Sequence, residues 1–108
     1  MKNELKKIID KYYKAFNENR PNLLYEILDD DVYLRDWEIE RFGIKDVINT
    51  SSEIMNLPGF KVEVLQEIYE NNLVAVDIIV KTESDKIMVV DLFKFDKVKI
   101  KSIKAFKG

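Results

Sequence analysis

The chemistry open to this chain is that of oxygen acids and amines, because its 108 residues include neither histidine nor cysteine. Ser-His and Cys-His nucleophilic catalysis, zinc held by imidazole or thiolate, and disulfides are thereby excluded. Acid and base roles fall to Asp, Glu, Tyr and Lys. The stretch Lys86-Ile-Met-Val-Val-Asp91-Leu-Phe-Lys-Phe-Asp96 places a carboxylate inside an apolar strand pattern. Period-2 alternation puts Ile87, Val89, Asp91, Phe93 and Phe95 on one face. An ionised carboxylate there is costly, so Asp91 either has a dedicated partner or holds its proton near neutral pH. Asp36 is a second carboxylate among large side chains, in Val32-Tyr-Leu-Arg-Asp36-Trp37-Glu-Ile39, where Arg35 or Arg41 could hold it in an ion pair. Asp77, in Ala75-Val-Asp77-Ile-Ile79, is a third strand carboxylate that either lines the same cavity or lies at a dimer interface.

Composition sets the frame for these residues. At 46% hydrophobic and 11% aromatic, residues 1–108 fit a single domain with one real core. A net charge of -2 argues against nucleic-acid binding by charge. No apolar run is long enough for a membrane span, and the opening Met1-Lys-Asn-Glu-Leu5 lacks the apolar run of a signal peptide. The expectation is a soluble, cytoplasmic protein with no membrane partner. The triplet Asp29-Asp-Asp31 offers carboxylates but no spaced metal-binding loop, so no metal is expected.

The elements that must position these groups are legible as patterns. Leu5, Ile8, Ile9, Tyr12, Tyr13 and Phe16 make the apolar stripe of a first helix. Pro21 opens a second, shorter helix carrying Leu23, Leu24, Ile27 and Leu28, which the acidic triplet ends as a solvated turn. A strand follows from Val32 to Ile39. After Gly43 a third helix carries Val47, Ile48, Ser51, Ile54 and Met55 and closes at Asn56-Leu-Pro-Gly59. Strands are expected at roughly 60–70, 72–83, 86–96 and 97–106, joined by turns short enough to make neighbours antiparallel. The architecture is α+β, with three N-terminal helices on one face of an antiparallel sheet. Apolar residues on both faces of the later strands point to a homodimer through the sheet face.

Three stretches carry a family resemblance: Lys11-Tyr12-Tyr13-Lys-Ala-Phe16, Asp29-Asp-Asp31-Val-Tyr-Leu-Arg-Asp36 and, most specifically, Val89-Val90-Asp91-Leu-Phe93-Lys-Phe95-Asp96. The chain resembles the nuclear transport factor 2-like (NTF2-like) superfamily over nearly its whole length. That superfamily has a cone-shaped α+β fold and includes ketosteroid isomerases, SnoaL-type polyketide cyclases, scytalone dehydratase and non-enzymatic carriers. The resemblance implies Tyr12 as an oxyanion-hole phenol, Asp36 as general base and Asp91 as a neutral hydrogen-bonding acid, as in ketosteroid isomerases. It implies a pocket lined by Phe16, Trp37, Ile54, Asp77, Val89 and Phe93, and a cofactor-independent isomerase, dehydratase or cyclase acting on a small carbonyl compound. Where some isomerases carry supporting tyrosines this chain has Leu28 and Ser51. The alternative is therefore a non-catalytic ligand-binding or dimerisation module of the same fold.

Overall fold

The computed structural model describes residues 2–108. Helix α1 (Lys2–Asn17) turns Leu5, Ile9, Tyr12, Tyr13 and Phe16 inward and leaves its lysines in water. Its end is tied to the sheet by one side chain. The Asn17 amide donates to the Val62 carbonyl at 3.0 Å and accepts the Val62 N–H at 2.7 Å, standing in for a missing ladder partner. Asn19 at φ 53 turns the chain out of the helix, and Pro21 opens a 3-10 turn (Pro21–Glu26) that buries Leu23 and Leu24.

Six strands follow, with a second helix among them: β1 (Leu28–Arg35), β2 (Glu40–Phe42), α2 (Ile44–Met55), β3 (Lys61–Glu70), β4 (Leu73–Lys81), β5 (Lys86–Asp96) and β6 (Lys99–Lys107). The sheet order is β2-β1-β6-β5-β4-β3. The run from β3 to β6 is a meander of antiparallel neighbours, as the short turns require. Register breaks between Val64 and Gln66, and between Lys94 and Phe95, bend the strands around the helices. Val74, Val76, Val89, Phe93, Ile100 and Ile103 form the inner face of the sheet, sealed by α1 and α2.

Several expectations are corrected. The second, shorter helix is a 3-10 helix of six residues, Pro21–Glu26, that stops before Ile27 and Leu28, so two of the three expected helices are α-helical among the described residues. Asp29-Asp-Asp31 is no turn between elements: it lies inside β1, which runs parallel to β6. Asp30 and Asp31 point to solvent, and the Lys101 ammonium lies 3.5 Å from Asp29, so the acids tolerate the strand. The first strand also stops at Arg35 rather than Ile39. Asp36 ends it: its Oδ1 accepts the N–H groups of Glu38 and Ile39 at 2.7 and 2.8 Å, a side-chain-closed turn that leads into the β1–β2 hairpin.

Candidate functional site

Strand alternation and the α1 stripe converge on one cavity. Phe16 on α1, Ile54 on α2 and Ile78, Val80, Ile87 and Val89 on the sheet form walls that are mainly apolar, around a volume of about 790 Å³. That is within the range of small-molecule pockets. Two loops make its mouth. One is the Asp36-Trp37-Glu38 turn. The other is the β4–β5 connection at Thr82–Asp85, held to the α2–β3 loop by the Glu83 N–H donating to the Pro58 carbonyl at 2.8 Å. Gly59 has to be glycine for this contact. Its φ is +73, and a Cβ there would stand 2.8 Å from the Glu83 backbone nitrogen.

A polar group sits among the apolar walls. Asp91 is 7% exposed, and the Tyr13 hydroxyl donates to its Oδ2 at 2.6 Å. Burial pushes the Asp91 carboxyl up to about 6, and the Tyr13 hydrogen bond opposes that rise. Both neighbouring phenols are held well above their ordinary range, first by burial and then by the negative charge of Asp91. The Tyr12 ring packs edge-on against Tyr13 and Phe93 at 5.1 and 5.0 Å between centroids. Its hydroxyl has no protein partner among the described residues. Because no sealed side-chain oxygen among them lacks a partner, the Tyr12 oxygen opens onto the cavity. The same reasoning leaves the second Asp91 oxygen free toward the cavity.

The three expected catalytic groups, Tyr12, Asp36 and Asp91, all line this cavity, as do Phe16, Trp37, Ile54 and Val89. Asp77 and Phe93 do not. Asp77 alternates with inward-facing Val76 and Ile78 and so lies on the outer face of the sheet, opposite Val90. Phe93 is fully buried beneath the two tyrosine rings, a support for the floor and not a wall. Among the described residues Asp36 makes no ion pair with an arginine, and the Arg41 Nε instead donates to Thr50 Oγ1 at 3.0 Å. The residue missed from sequence is Tyr13. Tyr12 and Tyr13 are adjacent in one helix stripe, and only the rotation of α1 over β5 determines which phenol reaches Asp91. Glu38, Glu83 and Asp85 at the mouth were also missed, since loop carboxylates carry no pattern of their own. No group of three or more His, Cys, Asp or Glu side chains is gathered for a metal among the described residues. Nor is any helix among them long and apolar enough to cross a membrane.

No family model matches the sequence, and no curated protein matches it. Solved structures do match closely in shape. An NTF2-like protein of unknown function from Mesorhizobium loti superposes with a TM-score of 0.91 at 12% identity, covering 98% of this chain and 92% of that one. The fold is NTF2-like. An LEH-like epoxide hydrolase from M. tuberculosis superposes on this chain with a TM-score of 0.81 at 13% identity, over 98% of this chain and 84% of that one. A de novo designed protein with a curved β-sheet has a TM-score of 0.88 at 19% identity, over 100% and 88% of the two chains. At such identities the likeness speaks for the fold alone, and a designed protein can share the NTF2-like shape without any inherited activity.

Proposed function

We propose that this chain binds a small, largely apolar carbonyl compound and moves a proton on it without a cofactor, as an isomerase, dehydratase or cyclase would. The observation that carries this reading is the Asp91 carboxyl, buried at the cavity floor, hydrogen-bonded by Tyr13 and shifted up to about 6. A proton-transfer group works best with an affinity near the ambient pH. The Tyr12 hydroxyl, unpartnered among the described residues and open to the same space, supplies a donor for a carbonyl oxygen that gains charge as the adjacent C–H bond is broken. In this assignment Asp91 takes the proton and returns it, Tyr12 steadies the enolate and Tyr13 positions Asp91. The roles thus differ from those implied by the isomerases, where the corresponding acid is a donor and the base lies at the position of Asp36.

Exchange of the α-protons of cyclohexanone for solvent deuterium, followed by NMR, tests the assignment. Asp91→Asn is expected to abolish enzyme-dependent exchange. Asp36→Asn is expected to retain it, since an asparagine oxygen still accepts the two N–H groups that close the turn. Loss in Asp36→Asn with retention in Asp91→Asn would return the base to Asp36. The second reading is a non-catalytic pocket of the same fold, in which Asp36 only closes its own turn. Binding of the ketone with no exchange above background would establish it.

The proposal includes a homodimer through the outer face of the sheet. Met88, Val90 and Phe106 are exposed there, with Val90 beside Phe106 on one side and Asp77 on the other. Arg35 and Lys104 belong to the same face, so it combines an apolar centre with charges of both signs.

A further inference from the structure

Every charged side chain lining the cavity is a carboxylate: Asp91 at the floor and Asp36, Glu38, Glu83 and Asp85 toward the mouth. No lysine or arginine among the described residues lines it, although the chain has 18 basic residues against 20 acidic ones, so overall composition does not account for the single sign. Carboxylates around an apolar hollow of low dielectric focus a negative potential into it. The chain's single tryptophan, Trp37, lies at that mouth, and the Lys107 ammonium already rests over its ring, 5.7 Å from the centroid. An independent observation at the other end of the cavity calls for a ligand. The Tyr12 hydroxyl belongs to a side chain only 6% exposed, has no protein partner among the described residues and opens into the same space.

We propose that the ligand of this cavity carries a protonated amine at its outer end: an apolar body fills the hollow, its inner polar end meets Tyr12 and Asp91, and the ammonium lies among Asp36, Glu38, Glu83 and Asp85 against Trp37. This rests on the small-molecule reading above and narrows it to amine-bearing compounds. Carboxylates and phosphates of similar size bind less well, because each would bring a negative charge to a mouth whose lining charges are all negative, with Lys107 lying over Trp37 outside that lining. Trp37 and Lys107 make the site responsive, since an incoming ammonium competes with Lys107 for the ring.

Three probes sharing one skeleton separate charge from shape: 4-phenylbutylamine, 4-phenylbutanol and 4-phenylbutyrate. Their binding is read by calorimetry and by the emission of Trp37. The amine is expected to bind about tenfold or more tightly than the carboxylate, with the alcohol between them, which is the scale of several partly screened ion pairs acting together. High salt should narrow that spread. The double substitution Glu83→Gln, Asp85→Asn should reduce the preference severalfold and leave the affinity for the alcohol unchanged. Both positions are exposed, and the asparagine side-chain oxygen keeps an acceptor for the Lys86 N–H. Equal binding of all three probes, or tighter binding of the carboxylate, overturns the amine proposal and leaves the small-molecule reading in place. Binding of none of the three, alcohol included, overturns both.

Discussion

Asp91 is the buried carboxyl of the cavity, and its protonation bears on stability. Its ordinary value is 3.8, and burial raises it to about 6, so the folded protein holds this proton more tightly than the unfolded chain does. The sign follows from linkage: the contribution is fully present below the ordinary value of 3.8 and is lost as the pH rises through about 6. A rise of that size corresponds to about 3 kcal/mol of destabilisation carried at neutral pH. Asp91→Asn, which keeps an acceptor for Tyr13, is therefore expected to raise the melting temperature at about pH 8, with the gain closing toward about pH 4. Thermal unfolding across that range checks it, and a gain independent of pH would refute the assignment. Tyr13→Phe removes the one hydrogen bond that lowers the Asp91 value. The carboxyl carbon of Asp91 should then titrate above its wild-type midpoint by NMR, while Tyr12→Phe leaves that hydrogen bond in place.

At the scale of elements, two loops frame the mouth of the cavity. Gly59 allows the α2–β3 loop to touch the β4–β5 loop at Glu83, with a φ open to few residues and no room for a Cβ. Gly59→Ala is expected to cost about 1–3 kcal/mol and to free the Glu83 amide for hydrogen exchange. Gly43 also has a positive φ, but nothing lies within 4 Å of an added Cβ. Gly43→Ala is therefore strained by its backbone alone, at φ 87 and ψ 152, and should leave the Glu83 amide protected. Equal exchange of that amide in both variants would mean that the close approach at Glu83 contributes nothing. The Asp36 turn plays the complementary part on the other lip, where one side-chain oxygen ends β1 and brings Trp37 to the mouth.

Across the whole molecule, the curved sheet has one face sealed by helices and the other left with apolar side chains in water. Val90 and Phe106 are exposed neighbours there, and the proposed pairing of two copies would remove both from solvent. Val90→Lys is expected to convert the dimer to a monomer by light scattering coupled to size exclusion, with far-UV circular dichroism unchanged, because the substituted side chain lies outside the core. A wild type that runs as a monomer would end the dimer proposal. The cavity lies on the opposite, helix-covered face, so ligand binding should survive the substitution.

The sequence alone specified the α1 stripe, the meander from β3 to β6 and the inward position of Asp91, because hydrophobic period is a local property that every residue reports. It could not specify the parallel pairing of β1 with β6, since those strands are far apart in the chain and meet only in the assembled sheet. It placed Asp77 and Phe93 in the pocket, where alternation and depth in the folded chain put one outside the sheet and the other below the floor. The choice of Tyr13 over Tyr12 as the partner of Asp91 belonged to tertiary structure in the same way. Neighbouring helix residues differ by about 100° in direction, and which of them meets a distant carboxylate depends on how the helix is rolled against the sheet.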